Sequence, residues 1–471
     1  MNHHGTGAYR PRAASVSALF LVAVLLRVAY VLFVDYEPYS DMLQHDANAV
    51  AIVAGHGMPA SSSVAEQYPL YSYVLAGVYA LCGRDLLAVR LLQAVLGAAT
   101  CVLTALWAAD VWRNRHVGLV AGSVTAVYPD LILHAGSILT ETTYTFCLVL
   151  ALWCWQRALD RHRWHAYVPV GIALGLAGLT RTPFIFMLPF ALAFQVLSYW
   201  PRRRLAAVHL CVLAASVLLV WLPWMVRNMR VYGRPVVVSY QLGANVWGGN
   251  NPIADGYWTA ERHMSPEQRA LVNSLPAAAA NAYMVRQARE WVVGHPWEFV
   301  RLLGVKVTRL LALKPDNIYK GNFFGPRWEL LLPAAAKAAL WILVVVGLLT
   351  TFGAWRRLGL VYSLLLGHLG MTLLMFAYAR YLVPLVPALS VLAAAGVARV
   401  ADTVRAVGAG EPVLTPKGTA VLVVILLLGV SWTLEARHYA ALARVWVSGT
   451  GADCRERTLG ECLPHLRDRA P

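Results

Sequence analysis

Apolar residues run along this chain in blocks of about 20, the length a helix needs to cross a bilayer. Polar stretches separate them. The blocks mark candidate spans at 15–34, 85–110, 116–136, 141–158, 166–181, 183–200, 205–226, 331–353, 358–378, 380–400 and 417–435. The Lys/Arg-rich stretches are Arg10–Arg12, Arg113–His116, Arg157–Arg163, Arg202–Arg204, Arg356–Arg357 and Arg399–Lys417. Short basic loops stay on the cytoplasmic side, so an even number of crossings must separate neighbouring ones. The eleven spans meet that condition throughout, with the N-terminus inside and the C-terminus outside.

Two further apolar segments must then not cross. Residues 69–82, PLYSYVLAGVYALC, are too short for a span. In residues 297–313, Arg301, Lys306 and Arg309 fall within about 140° of one helical face. That pattern predicts a helix lying in the interface with its charges toward water. The expected fold is therefore an all-α polytopic membrane protein of about eleven transmembrane helices plus interfacial helices. It divides into an N-terminal membrane module (1–226) with a first external loop at 35–84, a large external loop (227–330), C-terminal membrane helices (331–435) and a short external tail (436–471).

Composition agrees with this picture. The chain is 59% hydrophobic and 14% charged over 471 residues, with a mean hydropathy of +0.55; soluble domains carry about 25% charged residues. Arg10 and Arg12 precede the first apolar run as in a signal peptide, but no small-residue cleavage site follows, so the run reads as a retained helix. The net charge of +16 is accounted for by topology and calls for no nucleic-acid partner. Of seven cysteines, Cys101, Cys147, Cys154 and Cys211 fall in spans as small apolar residues, Cys82 ends the short apolar helix, and Cys454 and Cys462 in the tail could pair in an oxidising compartment. No zinc spacing, Gly-rich phosphate loop or nucleophile elbow is present.

The candidate chemistry gathers just beyond the first span. Asp35, Glu37, Asp41 and Asp46 crowd a short stretch before the chain turns apolar again. Asp41 begins a predicted helix, 41–53, with Ser40 able to cap it, and the N-terminal dipole favours an ionised Asp41. His45 and Asp46 lie one turn on, either behind the site or toward solvent, and His56 falls in a turn between Gly55 and Gly57. Arg90, Arg181, Arg227 and Arg380 lie near the outer ends of spans, where the positive-inside bias would not put them. Each alone can snorkel to the interface; together they suggest a pocket for an anion, because a guanidinium donates two parallel hydrogen bonds to phosphate. Glu141 opens the fourth span, either as a helix-terminal acid with Thr140 as cap or as a partner of Asp41. In the second reading one carboxylate accepts a proton from an acceptor, and the other helps hold a divalent metal ion or position the acceptor. The loop segment YQLGANVWGGNNPIADGYW, with Asn250 and Asn251, is either an ordinary polar loop or a contact for sugar or lipid headgroups. A capped helix follows it at Ser265, Pro266 and Glu267.

The motifs SDMLQHDANAVAIVAGHG, AGSILTETTY, GLTRTP, PWMVRN, GGNNP and RYLVPLVPAL, in this order over about residues 15–400, resemble the membrane glycosyltransferases of the GT-C class. The likeness is to the bacterial branch related to protein O-mannosyltransferases and the lipid A aminoarabinose transferase. It implies a polyprenyl-phosphate-linked sugar donor, inverting transfer, and a site on the extracytoplasmic side of a bacterial inner membrane. By motif, Asp41 matches the first-loop catalytic aspartate, Glu141 the second acidic position, and Arg380 of Arg380-Tyr381 the arginine near the donor phosphate. Gln67, Tyr68 and Pro69 depart from the aminoarabinose branch, which has a lysine before its proline pair, so that sugar specificity is not implied. Partners would be the lipid-linked donor, membrane lipids and an acceptor the sequence does not name. The alternative is a transporter or flippase for an anionic lipid or solute, which would also use intramembrane arginines but usually shows repeated halves and broken helices.

Overall fold

The computed structural model describes residues 9–33, 38, 41–59, 68–181, 183–233, 242–259, 264–313, 325–408, 429–430 and 432–433, with side chains of the last long segment described from 332 to 405. Two compact units divide the chain, Met1–Val413 and Leu414–Pro471. The span expected at 417–435 falls mostly outside the described residues, and the tail cysteines Cys454 and Cys462, the acids Asp35 and Glu37, and the capping Ser40 fall wholly outside them.

Within the first unit, each apolar block folds as a helix. These are α1 (Ala13–Phe33), α2 (Asp41–Val53), α3 (Pro69–Cys82), α4 (Leu86–Trp112), α5 (Arg115–Val127), α6 (Pro129–Gly136), α7 (Glu141–Arg161), α8 (Val168–Thr180), α9 (Leu188–Ser198) and α10 (Arg203–Tyr232). The loop that follows holds α11 (Leu242–Gly249), α12 (Pro266–Ser274), α13 (Ala277–Gly294) and α14 (Pro296–Leu311). Three long helices follow, α15 (Gly325–Thr351), α16 (Trp355–Leu374) and α17 (Val386–Gly408), the last preceded by a 3-10 helix at Ala379–Leu385. Among the described residues there is no strand. The chain is a multi-pass helical membrane protein.

By length and composition six described helices can cross a bilayer: α1, α4, α10, α15, α16 and the 3-10/α17 pair. A seventh span results if α5 and α6 count as one, although they meet at a 50° bend. Pro129 explains the bend, since it disfavours helical geometry at Tyr128 and removes a backbone donor. The expected count of eleven is not reached by this measure. The segments Trp164–Thr180 and Leu188–Ser198 are apolar but short, and α7 opens on Glu-Thr-Thr-Tyr-Thr with those five side chains buried against neighbours. A helix enclosed by other helices need not look apolar all round. As expected, α3 is a 14-residue helix started by Pro69, and Ser265 and Gln268 form a capping box at α12.

Packing decides which ends meet. Helix α4 lies against α1, α5 and α7; α7 lies against α8, α8 against α10, and α17 against α5 and α15. The α15/α17 contact is made at backbone distance: a Cβ on Gly347 would lie 2.2 Å from the Leu392 carbonyl oxygen, and one on Gly396 2.2 Å from that of Leu343. Small residues permit such approach, which drives helix association in lipid. A second, smaller core joins Met42 and Ala49 of α2, Tyr71, Leu75 and Tyr79 of α3, and Val89 of α4 to Ile138 and Leu139. It brings the start of α2 and the start of α7 together, at the end of α7 opposite Arg157 and Arg161.

Candidate active site

Four residues distant in sequence meet there. Arg181, which ends α8, donates from Nη1 to Glu141 Oε1 at 2.6 Å and to Thr140 Oγ1 at 3.1 Å. The Glu141 side chain is almost fully buried at 1% exposure, and that of Arg181 is 17% exposed. Arg380 Nη1 donates to Asp41 Oδ2 at 3.2 Å, across 339 residues of sequence. This pair is open: the Asp41 side chain is 57% exposed and that of Arg380 22%. Tyr381 lies between the two cations, with the Arg181 and Arg380 guanidinium carbons 5.4 and 5.5 Å from its ring centre. Tyr378 adds a second ring 5.6 Å from Arg380.

Below the arginines a cleft runs between α7, α16 and the 3-10 helices at Pro183–Phe186 and Ala379–Leu385, lined by Tyr144, Leu148, Met187, His368, Met371 and Leu385. It is nearly filled in this conformation: about 20 Å3, room for one water, is open.

Local folding explains why Glu141 is delivered here. Gln93 Nε2 donates to the Ala135 and Ser137 carbonyls, each at 2.9 Å, while its Oε1 accepts from Tyr71 Oη at 2.8 Å. Arg90 Nε donates to the Gly136 carbonyl at 3.0 Å. Three consecutive carbonyls just before α7 are thus gripped by α4. Thr140 precedes α7 as expected but makes no side-chain cap to it; its hydroxyl instead lies 3.5 Å from Glu141 Oε2 and accepts from Arg181.

His45 faces the same cluster from α2, edge-on to Tyr71 at 5.1 Å between ring centres. Burial lowers its pKa from 6.5 to about 4, outweighing the pull of Asp41 and Glu141. The sign follows: the unfolded chain takes up a proton near 6.5 while the folded one resists it down to about 4. The stability contributed by neutral His45 is complete above 6.5 and lost as the pH falls toward 4. The thermal midpoint is therefore expected to drop between pH 7 and pH 5, and His45→Phe to flatten that part of the profile. An unchanged pH profile in the variant would count against a neutral His45.

The sequence of α3 to α10 has a recognisable source. Residues 66–226 match the dolichyl-phosphate-mannose-protein mannosyltransferase family, and the fold matches an archaeal oligosaccharyltransferase from Archaeoglobus fulgidus, solved with an inhibitory peptide and a dolichol-phosphate. That match has a TM-score of 0.50 at 14% identity and covers 89% of this chain and 54% of the other. In this region and in its fold the chain is similar to membrane glycosyltransferases of the GT-C class. Curated relatives of this chain include an undecaprenyl phosphate-alpha-4-amino-4-deoxy-L-arabinose arabinosyl transferase of Pseudomonas aeruginosa, 30% identical over 159 residues, 32% of this chain and 28% of that protein. A protein with the same description from Pseudomonas savastanoi pv. phaseolicola is 25% identical over 228 residues, 46% and 41% of the two chains. The matches thus span well under two thirds of these relatives.

Of the nine residues singled out from sequence, the GT-C fold brings together Asp41, Glu141, Arg181, Arg380 and Tyr381. Arg90 sits behind them on the Gly136 carbonyl. Arg227 donates to the Met58 carbonyl at 2.6 Å and to Asn228 Oδ1 at 3.0 Å, tying α10 to the turn that follows α2. Asn251 is fully buried and bonded within its own loop, donating to the Trp247 carbonyl at 2.9 Å and Thr259 Oγ1 at 2.8 Å. Asn250 is buried too, donating to the Val246 and Leu374 carbonyls at 2.7 and 2.8 Å.

One expectation from helical periodicity is corrected. Arg301 is exposed, but Lys306 does not face water: it is fully buried in a stripe with Leu302 and Leu310. Its neighbours supply polar atoms from beyond the helix, which periodicity does not register.

Asp46, read from sequence as lying either behind the site or toward solvent, and two residues outside the sequence reading, Arg27 and His368, are also buried. Asp46 is buried, held by Arg84 at 2.9 Å and by the Tyr79 hydroxyl at 2.6 Å, and burial together with that bond raises the Tyr79 pKa. Arg27 is buried in α1, donating to the Ala23 and Ala126 carbonyls at 3.0 and 3.2 Å. It is the only charged residue in the first apolar run, a signal that could have found it. His368 is buried at the cleft.

Proposed function

We propose that this protein transfers a sugar from a polyprenyl-phosphate-linked donor to an acceptor at the extracytoplasmic face of a bacterial inner membrane. One observation carries the reading: Asp41 and Arg380 meet at 3.2 Å, an exposed carboxylate beside a guanidinium backed by a second one. The first can act as a base and the second as a phosphate ligand. The names of a relative and of the matching family, which specify undecaprenyl phosphate and dolichyl phosphate, support the same donor class.

In the proposed reaction the acceptor oxygen or nitrogen attacks the anomeric carbon. The bond from that carbon to the phosphate oxygen breaks with inversion, and polyprenyl phosphate leaves with the bonding pair. Asp41 takes the acceptor proton. Arg380 and Arg181 face the charge that grows on the leaving phosphate, the type of interaction that contributes most in such sites. A phosphate arriving at Arg380 competes with Asp41 for the guanidinium, so donor binding itself turns the carboxylate toward the acceptor. Glu141, enclosed and paired, holds Arg181 in place.

A divalent ion at Asp41 and Glu141 finds less support in this geometry. Each carboxylate is already neutralised by an arginine, and among the described residues no three His, Cys, Asp or Glu side chains converge as ligands. The donor assignment is tested by the lipid that co-purifies with the chain, read by mass spectrometry. Polyprenyl phosphate, with or without its sugar, is the expected species, and an unrelated lipid in its place would overturn the assignment.

A further inference from the structure

Lys306 projects from α14 into a closed space with no carboxylate for a partner among the described residues. Its Nζ donates to Asn250 Oδ1 at 2.7 Å and to the Leu373 carbonyl at 2.9 Å. Burying an ammonium on neutral acceptors is costly, and burial lowers its pKa to about 7. A lysine that merely filled space would be replaced without loss by an apolar side chain of similar volume.

What it touches suggests a use. Leu373 lies in the last turn of α16, where carbonyls lack helical partners and a cation is favoured by the dipole. Asn250 holds the next carbonyl, that of Leu374, at 2.8 Å. Gly249 rides on the residue after that so closely that a Cβ would lie 1.8 Å from the Met375 carbonyl oxygen. The Ala377 amide then donates to the Gly256 carbonyl at 2.9 Å, and Tyr378 packs on Tyr257 at 5.5 Å between ring centres. Tyr257 is in turn covered by Arg309 of α14 at 4.7 Å. Residues 373–378 are therefore held by the loop and α14, and Arg380 stands two residues beyond.

We propose that Lys306 is a positioning residue for Arg380: through Asn250 and the Leu373 carbonyl it fixes the backbone from which Arg380 reaches Asp41, which makes the 242–311 loop part of the donor-phosphate site. This rests on the reading of Arg380 as the phosphate-facing cation. The test compares the full-length wild type with Lys306→Met, and with Asn250→Ser should the first variant fail to fold. Hydrogen exchange is read over 374–381, and binding of undecaprenyl phosphate is read by titration. Exchange of the Ala377 amide should quicken at least tenfold while that of α7 stays unchanged. The apparent Kd should weaken at least tenfold, with no further loss when Arg380→Ala is added. Unchanged exchange would overturn the positioning role, and additive losses would overturn its route through Arg380. If the wild type binds no undecaprenyl phosphate, the donor reading fails, and the exchange result alone still decides whether Lys306 orders the segment.

Discussion

Asp41→Asn is expected to lower sugar transfer by roughly 10^2- to 10^4-fold, the usual contribution of a positioned general base. Donor binding should survive the change and even tighten. In the unliganded protein Asp41 occupies Arg380 Nη1 at 3.2 Å, and a neutral asparagine competes with phosphate less well than a carboxylate does. The loss should therefore appear in kcat, with the KM for the donor equal to or below that of the wild type. The Asp41 side chain is more than half exposed, so the change should cost little stability, as surface substitutions generally do. Transfer within twofold of wild type would remove Asp41 as the base, and a rise in donor KM with kcat intact would make it a binding residue.

Glu141→Gln should act in the opposite way, on the fold before the chemistry. The substitution leaves the Arg181 guanidinium, 17% exposed, without the carboxylate it meets at 2.6 Å. Removing one partner of a buried ion pair costs about 3–5 kcal/mol, because the remaining charge stays desolvated. Partial exposure of Arg181 places this case toward the lower figure. The thermal midpoint in detergent should fall clearly, and Arg181→Gln added to Glu141→Gln should recover part of it, since no charge is then left unpaired. A double variant weaker than either single one would show that the two residues stabilise the protein separately.

Much of the framework was legible because it depends on local pattern. The boundaries of α2 follow from an acid at a helix start and the turn at Gly55 and Gly57, both with positive φ. Those of α3 follow from Pro69 and from 14 residues being too few to cross. The acid and arginine cluster was also visible, since charges at the ends of apolar blocks are costly enough to need a reason. Sequence could not separate the arginine that meets a carboxylate from those that hold backbone. Arg90 and Arg380 look alike at helix ends, yet one finds a carbonyl 46 residues away and the other an aspartate 339 residues away. The same holds for Lys306, whose acceptors lie 56 and 67 residues away. Length and composition alone do not confirm the count of eleven spans for a related reason: α7 is wrapped by protein, so its hydropathy reports its neighbours rather than the bilayer.

The account stands on a phosphate site formed where Arg380 and Arg181 flank Tyr381. Titration of the purified full-length chain with undecaprenyl phosphate, wild type against Arg380→Ala, tests it most directly. Saturable binding in the wild type that weakens at least tenfold in Arg380→Ala, with the thermal midpoint of the unliganded protein little changed, is the predicted result. Equal affinity in the two proteins would contradict it.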